Sequence, residues 1–129
     1  ASFTALSRPA RVCDTRFGNA SDQGCTRGVV GAGPTHVLNI AVTNIDAIPS
    51  SATAIVANIT GVNATSATFV TVYPGPSSAG HPNASDINIA SFQPVPNLVV
   101  VGVGSDGTIN LFNDLGNINL IVDVLGYYS

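Results

Sequence analysis

Gly102, Gly104 and Gly107 stand in the spacing Gly-x-Gly-x-x-Gly directly after an apolar run, the order in which a dinucleotide-binding loop follows a strand. That chemistry needs the third glycine to open a helix whose N-terminus holds the pyrophosphate, inside a βαβ unit. The next residues are instead Thr108, Ile109, Asn110, Leu111 and Phe112, which alternate polar and apolar as a strand does. The glycines are therefore read as part of a hairpin turned at Ser105-Asp106-Gly107, because Asp-Gly between alternating apolar runs favours that turn.

Other residue types capable of chemistry fall short in a similar way. Asp14-Thr15 opens like the Asp-Thr-Gly of aspartic proteases, but the third residue is Arg16 and no second Asp-Thr/Ser-Gly supplies the facing carboxylate. Glycoside hydrolysis needs a carboxyl pair in a cleft; the seven aspartates are scattered, mostly in turn contexts such as SDQG, SDG and NDLG. His36 lies at the mouth of a strand and His81 in the proline-flanked loop SAGHPNAS, and no Gly-x-Ser-x-Gly elbow accompanies them. The glycine-rich stretch 28–33 lacks the Lys-Ser/Thr continuation of a phosphate loop and reads as a connector. Clustered oxygens at Asp14, Asn19 and Asp22 make calcium the one cofactor candidate, without EF-hand spacing behind it. No enzyme is expected, and no other cofactor.

Cys13 and Cys25 are the only cysteines and flank a polar, glycine-containing stretch able to close a small loop. In an export setting such a pair predicts a disulfide, with free thiols or half of a metal site as the alternatives. Asn19, Asn58, Asn63 and Asn83 each begin an Asn-x-Ser/Thr sequon.

Composition narrows the classes further. Charged residues make up 9% of the 129, with no lysine, glutamate, methionine or tryptophan, and twelve asparagines supply polarity instead. All four arginines fall within the first 27 residues and the formal net charge is −3, so nothing offers a footprint for a phosphate backbone. Nucleic acid is excluded as an expected partner, and no apolar run reaches the length of a membrane span. A surface with so little charge repulsion permits close packing against other chains, although adaptation to salt or acid accounts for it equally well. Starting at Ala1 without a leader, the chain reads as a mature or excised product.

The elements that must position these residues are strands. Short β-type runs recur between Gly, Pro, Asn, Asp and Ser turns. THVLNIAVTN, TAIVANIT and ATFVTVY alternate; SDINIASF, bounded by prolines, reads as an edge strand; NLVVVGV, apolar on both phases, as a buried central one. GTINLF returns from the hairpin, and NINLIVDVLGYY turns Ile118, Leu120, Val122 and Val124 to the core. The expectation is an all-β, single-domain β-sandwich of about eight or nine mainly antiparallel strands spanning 1–129.

SRPARVCDTR, AIVANITGVNATSATFVTVYP, PNLVVVGVGSDGTINLFN and LIVDVLGYY, in this order and across essentially the whole chain, resemble an all-β module of secreted and cell-surface proteins of actinobacteria and related bacteria. That module is often repeated in tandem or appended to hydrolases and is similar to a non-catalytic extracellular domain. Cys13 and Cys25 depart from its usual pattern. The resemblance implies that Asp14, Thr15 and Arg16, and Asp123 of the Asp-x-x-Gly-aromatic ending, have a structural role: a clamp from Arg16 to Asp123 or Asp14.

Two functions of different class are compatible with this reading. One is a structural module that assembles with copies of itself into a filament or surface layer, with Phe3, Ala5 and Leu6 of the apolar N-terminal segment as a candidate donor strand. The alternative is an accessory module for glycans or cell-wall polysaccharide, with Tyr73 and His81 as candidate contacts.

Overall fold

The computed structural model of the chain describes residues 2–17, 25, 28–82 and 86–129. Eight strands follow one another: β1 (Phe3–Asp14), β2 (Leu38–Ala41), β3 (Ala54–Val62), β4 (Thr68–Pro74), β5 (Ile87–Ile89), β6 (Val95–Gly102), β7 (Thr108–Asn113) and β8 (Asn119–Tyr128). A 3₁₀ turn, Pro34–His36, precedes β2. The strands form two four-stranded antiparallel sheets in the orders β1-β8-β3-β6 and β2-β7-β4-β5, the β-sandwich expected. Among the described residues no helix is long and apolar enough to cross a membrane.

Strand periodicity builds the core. Successive side chains point to opposite faces, so Ile55, Ala57 and Ile59 of β3 and Leu120, Val122 and Val124 of β8 turn inward. Against them lie Leu38 and Ile40 of β2, Val70 and Val72 of β4, and Ile109 and Leu111 of β7. Fully burying one such aliphatic side chain contributes about 1.5–3 kcal/mol.

Asparagine does inside this fold what charged residues do elsewhere. Buried Asn113 donates Nδ2 to the Gly116 carbonyl (3.0 Å) and the Val30 carbonyl (3.3 Å), and accepts the Thr68 hydroxyl at 2.8 Å. Buried Asn110 accepts from Asn39 Nδ2 at 2.8 Å and donates to the Pro76 carbonyl at 2.8 Å. A neutral amide both donates and accepts, so it ties loops to strands without the cost of burying charge.

Two expectations are corrected. NLVVVGV is not central: as β6 it is the edge of its sheet, and its alternation leaves Leu98 66% and Val100 63% exposed. Pro94 and Pro96 carry the signal, since a strand proline cannot donate to a ladder and belongs at an edge. Nor do β6 and β7 form a hairpin; they lie in different sheets. Ser105-Asp106-Gly107 does turn the chain, with Gly107 at φ 81° donating its N–H to the Gly104 carbonyl (2.9 Å). Gly104 meanwhile presses on the Gly75 backbone, where a Cβ would have no room.

Candidate functional site

The densest set of charged groups among the described residues sits where β1 ends beside β8. Asp14 is fully buried, yet its carboxylate is satisfied. Arg16 donates Nε to Oδ1 (2.9 Å), Nη2 to Oδ2 (2.7 Å) and its backbone N–H to Oδ1 (3.1 Å), while Arg11 Nη1 lies 3.7 Å from Oδ2. The Arg16 hydrogen bond, assisted by the nearby positive charges, holds the Asp14 carboxyl below its ordinary value against the opposing effect of burial. Buried Thr15, between them, donates its hydroxyl to Asn119 Oδ1 (3.0 Å) and accepts the Leu120 N–H (3.0 Å). Its backbone N–H also reaches the Leu120 carbonyl at 3.1 Å. Asp-Thr-Arg is thus a lock fastening the first strand to the start of the last.

Asp123 belongs to a different pair. Its carboxylate accepts Arg11 Nε at 2.9 Å and Nη2 at 3.2 Å, so the guanidinium on Asp123 is Arg11's and not that of Arg16, the partner that the resemblance allows. Register decides this: Arg11 and Asp123 are direct cross-strand partners, whereas Arg16 lies beyond the strand end, two residues from Asp14. Each oxygen of both carboxylates accepts a hydrogen bond from a guanidinium, and the Arg11–Asp123 pair ties β1 to β8.

Cys13 and Cys25 form a disulfide. Cys13 is buried in the core beside this lock. Of the calcium candidates, Asp14 faces guanidinium groups, and Asn19 and Asp22 lie outside the described residues, as do the sequons at Asn19 and Asn83. Among the described residues no three His, Cys, Asp or Glu side chains gather as metal ligands.

The candidate sugar contacts lie on the outer face of the second sheet. Tyr73 is only 4% exposed, so it presents no ring face to solvent, and burial pushes its hydroxyl pKa up. Tyr73 is therefore no accessible glycan contact; beyond it the Pro76 carbonyl accepts Asn110 Nδ2. In that loop His81 is exposed but stacked on Phe112, with ring centroids 3.9 Å apart and planes within 8°. His36 lies 2.9 Å from the Ala32 carbonyl through Nδ1, which must donate there, and so is held in its own turn.

The N-terminal residues offered as a donor strand are paired within their own chain. Phe3 stands opposite Tyr128 and Ala5 opposite Gly126, and the Phe3 ring lies over Gly126 with its centroid 5.2 Å from that of Tyr128. Leu6 begins a bulge, residues 6–9, and packs partly against the core.

A different feature escaped sequence reasoning. Large apolar side chains stand exposed: Leu98 and Val100 side by side on one face of β6, Phe3 on β1, and Phe17, Val29, Phe92 and Leu115 in loops. The loops of Phe92 and Leu115 both bond to the segment joining β3 to β4, Phe92 donating its N–H to the Ala64 carbonyl and Leu115 its N–H to Thr68 Oγ1. Only the proline-flanked β6 could have been suspected from sequence.

No family model and no curated protein matches the chain.

Proposed function

We propose that this chain is a non-catalytic, extracellular structural module that works by assembling with copies of itself. The observation that carries the reading is the exposure of Leu98 and Val100 side by side on one face of the edge strand β6. Grouped apolar surface on a folded domain marks a surface meant to be covered. The scarcity of charge, 9% of residues with no lysine at all, supports a like surface as the cover, because copies approach with little repulsion. The disulfide is compatible with an oxidising, exported setting. The lock at Asp14 and Arg16 and the pair at Arg11 and Asp123 serve this role by holding the terminal strands in place. The buried ring of Tyr73 weakens the glycan-binding alternative.

Electron microscopy with light scattering of the purified chain tests the reading. Ordered polymers or defined oligomers are expected. A strict monomer that is retained on cell-wall polysaccharide overturns it in favour of glycan binding.

A further inference from the structure

The four edges of the two sheets are not alike. β2 has four residues and β5 three, while β1 is broken by the bulge at 6–9 and carries Arg8 and Arg11. Shortness, bulges and charge are the usual devices that stop a sheet edge from pairing with another chain. β6 has none of them. Its eight residues pair with β3 without a break in register, and none is charged. Its one guard is Pro96.

The direction of its free backbone groups can be read from a neighbouring bond. Val103 donates its N–H to the Thr53 carbonyl at 2.9 Å. N–H and C=O groups alternate sides along an antiparallel strand, so odd-numbered residues 95–101 turn toward β3 and even-numbered ones outward. Pro96, which lacks an N–H, stands at an outward position, where nothing in its own sheet asks it to donate. The backbone groups of Leu98 and Val100 face out from the edge, and their side chains stand exposed on the outer sheet face.

We propose that β6 pairs with β6 of a second copy, antiparallel about a two-fold axis at Val99, fusing two four-stranded sheets into one of eight strands. This deepens the self-assembly reading and rests on it. The occupant is a second copy because the outward positions are self-complementary about Val99. Leu98 comes opposite Val100 of the second copy, and Val100 opposite its Leu98, so apolar meets apolar in both. Pro96 comes opposite Gly102, so the residue without an N–H meets the one without a side chain. Facing Leu98 and Val100 exchange both of their N–H···O bonds, and four aliphatic side chains gather in one cluster on the outer face. Neither β6 nor β3 behind it carries a charge, so two identical surfaces meet without repulsion. The contact is isologous and closes on itself; polymer growth would use another surface.

Cysteine cross-linking tests the register. Leu98→Cys and Val100→Cys chains are purified with the native disulfide intact, then oxidised mildly, separately and mixed. The mixture is expected to form a covalent heterodimer at least tenfold faster than either variant alone. In each single variant the two new cysteines are diagonal neighbours about 7–8 Å apart, beyond good disulfide reach. In parallel, Val100→Arg is expected to raise the dimer dissociation constant at least tenfold in analytical ultracentrifugation with an unchanged circular dichroism spectrum, since the side chain is solvent-exposed. A mixture that links no faster than its components overturns the pairing, as does a dimer indifferent to Val100→Arg. If the unmodified chain polymerises in either case, self-assembly stands and only the β6 interface falls. An unmodified chain that stays monomeric at every concentration overturns both.

Discussion

Replacing Arg16 by alanine should destabilise the fold by about 2 kcal/mol at neutral pH, and the loss should fade in acid. Asp14 is fully buried and takes three hydrogen bonds from Arg16. Breaking a fully buried ion pair costs about 3–5 kcal/mol because a charge is left without its partner, whereas a solvent-exposed pair is worth about 0–1 kcal/mol. The Arg16 side chain is 34% exposed, so water screens it, and Arg11 at 3.7 Å remains to share the stranded carboxylate. The Arg16 backbone N–H survives the substitution as well. The cost is therefore intermediate, about 2 kcal/mol, which at about 4 °C per kcal/mol for a chain of this length lowers Tm by about 8 °C.

The pH dependence has a definite sign. Asp14 titrates lower in the folded than in the unfolded chain, so its stabilisation is complete above the unfolded carboxylate value, about pH 4, and is lost as pH falls through the folded value. The gap in Tm between the native and Arg16→Ala chains should therefore be constant above about pH 5 and narrow as pH is lowered toward 2. Thermal unfolding followed by circular dichroism across this range measures it. A gap below about 2 °C at pH 7, or one that is undiminished at pH 2, refutes the assignment of Arg16 as the partner of a buried carboxylate.

Arg11→Ala should cost under about 1 kcal/mol despite two hydrogen bonds to Asp123, because the guanidinium is 42% exposed; thermal melts should show the difference shrinking further in 1 M salt. Reducing the disulfide, or replacing Cys13 and Cys25 by serine, opens a loop of sequence separation 12 and should lower stability by about 3 kcal/mol in the loop-entropy account, read as a fall in the urea midpoint. Asn113→Leu conserves approximate size but leaves the Thr68 hydroxyl and the Gly116 carbonyl without their buried partner. Urea unfolding should register a loss of about 2–4 kcal/mol.

Much of the frame was legible in the residues. Alternation with a period of two, punctuated by Gly, Pro, Asn and Asp, determined strand identity and inward faces: Ile55, Ala57, Ile59, Leu120, Val122 and Val124 are buried as their spacing demands. Cys13 and Cys25, the only cysteines, form the disulfide expected of them, and the alternatives of free thiols or half of a metal site fall away. These are local properties, fixed by backbone geometry and near neighbours.

Partner choice across the fold was not legible, because it depends on which strands become neighbours. Asp-Gly specified a turn at Gly107, but that its flanking strands lie in different sheets, with Gly104 packed on Gly75, shows only in the tertiary structure. NLVVVGV by its own apolar run reads as a central strand; only Pro94 and Pro96 before it point to the edge position that the sheet order shows. Asp123 drew Arg11 rather than Arg16 through the register between β1 and β8, which a sequence does not display. Tyr73 is buried although the Pro74-Gly75-Pro76 stretch directly after it reads as a turn, and nothing local to the sequence displays that burial. The sequence by itself determined what each segment is, through steric and hydrophobic preferences acting over a few residues; the tertiary structure alone decided what each segment faces, because long-range contacts form only when the chain closes on itself.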